Sequence, residues 1–249
     1  MNIYRYETHL HTKEASACSV SSAVELVHAY HQAGYAGIII TDHFYHGNTA
    51  VDRRLDWKEW VRRFCLGFEA AETEGEHVGL SVFFGWEINF SGDEYLIYGL
   101  DKEWLLSHPQ VITYDHQTLF SEVNKAGGLM VQAHPFRERY YLSEIHLHPA
   151  VVHAVEVVNA ENDEEFDRKA FAYAQRYGLS MTSGSDLHDA DKVSKTSLGM
   201  DFSYPLSSLA DFIAAVKEGK GYSLVGSEAR MVEPKSEQSG VRVHLHPTN

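Results

Sequence analysis

Cysteine is nearly absent from this chain. Cys18 and Cys65 are the only two in 249 residues, too few for a disulfide framework. Long apolar runs are missing as well. No stretch reaches the 18 apolar residues that would suggest a membrane span, and residues 1–7 lack the apolar segment of a secretory signal. The expectation is a reduced, soluble, cytoplasmic protein. Basic residues are also in short supply: 21 Lys and Arg against 35 Asp and Glu leave a formal charge of −14. That argues against tight, sequence-independent binding of duplex nucleic acid, which needs a basic surface. A nucleotide or short oligonucleotide held at bound metals stays open, because clustered carboxylates can be offset by cations.

The remainder is ordinary in bulk and patterned in detail. The length suits one α/β barrel domain, and 44% hydrophobic with 22% charged residues is typical of a globular chain. Short apolar runs alternate with longer amphipathic stretches. Residues 21–33 place Ala23, Leu26, Val27 and Tyr30 at helical spacing, with Ser21 or Ser22 as cap. Further helices are expected over 57–74, 117–126, 164–177 and 206–218. Strands are expected over 35–40, 80–84, 95–99, 129–132, 151–158 and 179–182. Strands separated by helices point to βα units and a mostly parallel sheet, whose active site lies at the carboxyl ends of the strands. Residues 1–227 read as one domain, and 228–249 as a polar, loosely attached tail.

Five motifs sit at those strand ends: His9-Leu10-His11, Thr41-Asp42-His43, Gly85-Trp86-Glu87, Ala133-His134-Pro135 and Gly184-Ser185-Asp186-Leu187-His188. The steps from His11 to His43, Glu87, His134 and Asp186 are 32, 44, 47 and 52 residues, each enough for a strand, a helix and two loops. His-X-His on a strand puts both imidazoles on one face, where they can share a cation. The tripeptide alone is weak evidence, since His-Leu-His occurs at 9–11, 146–148 and 244–246. The last two follow no buried strand and read as surface histidines in a loop and in the tail. Glu87, after an aromatic apolar run, would be costly to bury unpaired; a carboxylate bridging two cations removes that cost. Taken singly, each motif could be structural. Taken together, they read as one metal centre.

The ordered series His9-X-His11, Asp42-His43, Glu87, His134 and Gly184-Ser185-Asp186-X-His188 resembles the polymerase and histidinol phosphatase (PHP) superfamily, from about residue 6 to residue 188. The resemblance implies a distorted (β/α)7 TIM-like barrel of the PHP type. It also implies two or three divalent metal ions (Zn, Mn or Fe) and hydrolysis of phosphoesters. His9, His11, Glu87 and Asp186 would bind the first metal, and His43 and His188 a second. Glu87 would bridge to a third, held also by His134. The family usually completes the second metal with an Asp or His after the first motif. Here Glu14 is the only hard ligand in that segment and is the expected one, with Cys18 the soft alternative. Many members carry a further histidine where Tyr95 stands, so the third metal would be weak, absent or supported by Asp93. Asn159 resembles a family position close to the site.

The mechanism so implied is in-line attack on phosphorus by water activated between metals. Glu87, Asp186 and His188 are the expected catalytic residues. Arg137 would hold a non-bridging oxygen of a small phosphate ester through its bidentate fork. Arg139 and Lys195 read first as solvated surface charges. Two competing readings remain: a metal-dependent amidohydrolase using the same ligands, and a non-catalytic PHP module that keeps its metals.

Overall fold

The computed structural model describes residues 2–140, 142–196, 198–228, 230–232, 234 and 241–246. β1 (Tyr4–Glu7) leads through the first motif to α1 (Ala23–Gln32), which Ser22 opens with a reciprocal capping box to Glu25. β2 (Gly37–Ile40) follows. One helix was expected over 57–74, but two form, α2 (Trp57–Phe64) and α3 (Leu66–Val78). They meet at buried Cys65, whose ψ of −2° turns the axis. The turn lets Gly67 press onto the first motif: a Cβ there would lie 2.2 Å from Thr12 Oγ1 and 3.2 Å from Asp42 Oδ2.

β3 (Ser81–Phe90) runs well past the expected 80–84 and carries Glu87 inside it; a tight reversal at Ser91 and Gly92 leads into β4 (Asp93–Tyr98). Then come α4 (Lys102–Ser107), α5 (His116–Lys125) and β5 (Leu129–Gln132). Residues 146–148, expected in a loop, lie largely in β6 (Glu144–Leu147). β7 (Ala154–Asn159) begins later than expected because Pro149–Val151 form a short 3-10 turn. α6 (Glu164–Tyr177) is stopped by Gly178 at φ 64°. β8 (Ser180–Gly184), β9 (Gly199–Phe202), α7 (Leu209–Glu218), β10 (Tyr222–Val225) and β11 (Arg242–Leu245) complete the order. The tail expectation needs correcting at β11, which pairs in parallel with β6; residues 229, 233, 235–240 and 247–249 lie outside the described ones.

Nine strands form one sheet in the order β10-β9-β1-β2-β3-β4-β5-β7-β8. β1, β2, β3, β5, β7 and β8 run in one direction, and β4 is reversed between β3 and β5. The sheet curls until its ends meet. Asp186 N–H donates to the His9 carbonyl at 2.8 Å, His11 N–H to that of Leu187 at 3.2 Å, and Leu10 bridges Leu187. This is the expected distorted α/β barrel, with seven strands from β1 to β8 around the ring and β9 and β10 added antiparallel beside β1.

Both faces of the ring strands are buried, as parallel strands under helices require. Ile39 points inward with Tyr6, Leu96, Tyr98 and Val131, while Ile38 and Ile40 pack outward on Leu26 and Tyr30 of α1. Each such side chain removed from water contributes about 1.5–3 kcal/mol. The apolar strand bodies thereby fix where the polar strand ends converge.

Candidate metal centre

Five strand ends deliver their histidines and carboxylates to one place. His9 Nε2 and His11 Nε2 lie 3.1 Å apart, as alternation along one strand face predicts. Asp186 Oδ1 is 3.0 Å from His11 Nε2 and 3.5 Å from His9 Nε2. Glu87 is central: its Oε1 is 3.3 Å from both His9 Nε2 and His134 Nε2, and its Oε2 is 2.6 Å from His43 Nδ1. His188 stacks on His11 at 4.7 Å and lies 3.9 Å from Asp186 Oδ1. Four overlapping groups could each hold an ion: His9, His11 and Asp186; His11, His43 and His188; His9, Glu87 and His134; and His43, Glu87 and Glu94.

Neither oxygen of Glu87, 1% exposed, makes a hydrogen bond of good geometry, although Oε2 lies only 2.6 Å from His43 Nδ1. The Nδ1 of His43 is orphaned in the same way. Buried polar atoms left so are costly, and a cation between them would satisfy all three. The electrostatics agree. Burial disfavours charge on His9, but Glu156, Asp186 and Glu87 hold its pKa well above the usual imidazole value. His43 is raised in the same sense, against its burial, by Glu87, Cys18 and Glu94. This concentrated negative field is one that divalent cations relieve.

Backbone conformation contributes too. His134 at φ 29° and Asp186 at φ 55° adopt the left-handed region, rare for residues other than glycine and concentrated at functional sites. Gly184 allows β8 to close on β1, since a Cβ there would lie 2.6 Å from His9 Cβ and 2.8 Å from Glu156 Oε1. Gly184→Ala should therefore push His9 out of place and cost about 1–3 kcal/mol by overpacking. Calorimetry of the purified variant checks this; an unchanged Tm with unchanged metal content would contradict the crowding.

Several expectations need correcting. Glu14 does not reach the centre: its carboxylate accepts the Ala23 N–H at 3.1 Å, at the start of α1. Cys18 is there instead, lining the cleft together with His43 and His188. Burial opposes ionisation of the thiol, yet the neighbouring His188 and His43 bring its pKa down to about 6. Tyr95 is buried in the outer core with Trp86 and Ile88, and Asp93 Oδ1 accepts the His146 N–H at 3.0 Å. Their neighbour Glu94 reaches in, 3.6 Å from His134 Nε2 and 3.9 Å from His43 Nδ1.

Glu156 was also missed. It is fully buried, takes His9 Nδ1 at 3.0 Å and accepts the His134 N–H at 3.2 Å. A lone glutamate in the otherwise apolar run Ala154–Val158 was the available signal. Asp42 acts behind the ligands: it accepts from Thr12 N–H at 2.6 Å and from the Thr12 and Ser16 hydroxyls at 2.7 Å. Burial pushes its pKa up to about 6 against those bonds. Asn159 accepts from Arg137 and donates to Glu156 at 2.8 Å.

Arg137 is buried at the centre, but its nitrogens are already engaged, Nε with Asn162 Oδ1 at 2.6 Å and the two Nη with Asp186 and Asn159. It therefore positions Asp186 as well as facing the cleft. That cleft, about 390 Å³, is lined by Cys18, His43, Asn48, Glu94, Arg137, Arg139, Glu161, Asp186, His188 and Lys192. Lys192, rather than Lys195, accompanies Arg139 there.

Residues 164–220 match the family described as PHP-associated. No curated protein sequence matches the chain. Its structure is similar to a two-domain protein from Bacteroides vulgatus containing a predicted PHP-like metal-dependent phosphoesterase, at TM-score 0.65 and 15% identity, covering 90% of this chain and 64% of that one. It is also similar to endonuclease Q from Pyrococcus furiosus (TM-score 0.59, 11% identity, 90% of this chain and 58% of that one). A third likeness is to an amidohydrolase from Chromobacterium violaceum with bound sulfate (TM-score 0.52, 13% identity, 85% and 96%). The chain thus spans less than two thirds of the first two, and at these identities what is shared is the fold.

Proposed function

We infer that this chain, which belongs to the PHP superfamily by its fold and its PHP-associated segment, is a metal-dependent hydrolase of phosphoester bonds in a small phosphate ester or short nucleotide. One arrangement supports this reading. The orphaned carboxylate of Glu87 stands between His9 and His134 on one side and His43 on the other, beside a cleft that carries Arg137, Arg139 and Lys192. The first part suits cations and the second suits an anionic substrate.

The donor set fits more than one ion. His9, His11, Glu87 and Asp186 would hold the first; His43, His188 and Cys18 the second; Glu87, His134 and Glu94 a third. Imidazole with carboxylate accepts Zn, Mn or Fe, and a thiolate at the second position tilts that choice towards Zn or Fe. When bound, adjacent divalent ions supply a water acidic enough to ionise near neutral pH and positive charge opposite the phosphoryl oxygens.

The residues do the rest. Glu156 accepts the Nδ1 proton of His9 and so turns the Nε2 lone pair to the centre. Arg137 orients Asp186 from the cleft wall. Arg139 and Lys192 add positive charge along the cleft, where an ester phosphate would lie.

The test is elemental analysis of the purified protein with a panel of phosphomonoesters, phosphodiesters and amides. At least two equivalents of metal and turnover of phosphoesters are expected. Turnover of amides alone, or none by the metal-loaded chain, would sink the reading. Cys18 has its own test. The cobalt-substituted protein should show a thiolate-to-cobalt charge-transfer band in the near ultraviolet that Cys18→Ser removes. A parent spectrum without that band would return the second position to oxygen and nitrogen donors.

A further inference from the structure

The two His-Leu-His copies outside the centre are brought side by side. β11 pairs in parallel with β6 so that His244 lies opposite His146 and Leu245 opposite Leu147, and His246 N–H donates to the Leu147 carbonyl at 2.8 Å. Residues two apart on a strand share a face, so His146, His148, His244 and His246 project together. His146 Nδ1 is 3.1 Å from His246 Nε2. The rings of His148 and His246 stack at 4.3 Å, those of His146 and His244 at 5.0 Å. His116, the first residue of α5, stacks on His148 at 4.1 Å. Glu144 borders the patch, 3.4 Å from His244 Nε2 and 3.8 Å from His146 Nε2.

Five imidazoles this close repel one another when protonated. Burial, followed by the neighbouring histidines, lowers His148 to about 3, and burial lowers His116 to about 4 with His246 and His146 adding to it. At neutral pH both present lone pairs. The Nε2 atoms of His116 and His244 are buried without a hydrogen-bond partner. A surface histidine stack explains the proximity but leaves these atoms unsatisfied.

We propose that this patch is a second, separate transition-metal site, which takes one Zn²⁺-class ion between β6 and β11. Zn–N bonds of about 2.0–2.1 Å place two ligand nitrogens of a tetrahedral ion about 3.3 Å apart, close to the His146–His246 separation. A His-X-His strand with an imidazole from its neighbour supplies three nitrogens and leaves one position open. The third nitrogen comes from His148 or His244 by side-chain rotation, and Glu144 stands as an outer carboxylate partner. The ion would tie residues 241–246 to the barrel.

The test uses the full chain with Zn²⁺ as the probe. In Asp186→Asn, which weakens only the first ion's position in the barrel centre, added Zn²⁺ should still slow amide exchange over 241–246. About tenfold slowing is expected once free Zn²⁺ exceeds its Kd tenfold. Adding His146→Gln and His246→Gln should abolish that slowing and lower the bound Zn²⁺ by one equivalent. In the otherwise unaltered chain the same pair should remove one metal equivalent and leave phosphoester turnover unchanged. Unaltered exchange over 241–246 on adding Zn²⁺ to Asp186→Asn would overturn the proposal, whether or not the histidine variants fold, and so would an unchanged metal count in the double variant. Neither the exchange rate nor the metal count depends on the hydrolase assignment.

Discussion

Asp186→Ala is expected to lose bound metal and to lower phosphoester turnover by more than about 100-fold, the upper end for loss of a mere outer partner of a ligand. Asp186 stands 3.0 Å from His11 Nε2 and 3.5 Å from His9 Nε2 and receives Arg137. Removing it would take an oxygen from the proposed first ion and would leave the buried Arg137 guanidinium without its carboxylate partner, worth about 3–5 kcal/mol of stability. Asp186→Asn separates the effects, because the amide keeps an acceptor for Arg137 but gives up the charge. Metal content, turnover and Tm measured on both variants decide the matter. If Asp186→Ala retains full metal and activity, the centre has been drawn around the wrong residues.

The second large effect lies one step behind the ligands. Glu156→Gln should weaken metal binding by about 10–100-fold, as loss of a charged partner to a ligating imidazole does elsewhere. The carboxylate takes His9 Nδ1 at 3.0 Å and accepts from His134 N–H and Asn159 Nδ2. Glutamine keeps the shape but lacks the charge that holds His9 in its tautomer. Competition against a chelator of known affinity gives the size. If the affinity is unchanged while Tm falls, Glu156 is confined to a packing role.

Much of this site is legible in the sequence, because strand alternation and strand-end position are local properties. His9 and His11 share a face for that reason, and the order of the five motifs around the ring follows from the βα alternation. Glu94 was hidden by a boundary. A strand begun at Tyr95 leaves it outside, whereas the turn at Ser91 and Gly92 pairs Phe90 with Asp93 and Asn89 with Glu94. That register puts Glu94 on the same face as Glu87. Whether Glu14 or Cys18 faces the centre could not be read locally, because it depends on Glu14 accepting the Ala23 N–H at the start of α1. The pairing of β6 with β11 joins residues about a hundred positions apart, which no window along the chain contains. The double engagement of Arg137 was equally out of reach, since Asn159 and Asn162 come from the end of β7 and the residues just after it, and Asp186 from the segment after β8.

The seam of the barrel has a consequence for how the molecule assembles. The bonds that close the ring run between residues 9–11 and 186–187, and Thr8 Oγ1 donates to the Ser183 carbonyl across 175 positions of chain. Contacts so distant in sequence are entropically expensive and characteristic of slow folding steps. The same residues are the proposed ligands. Building the centre and shutting the cylinder are therefore one event, and the intact donor set would serve as a report that the chain has finished folding.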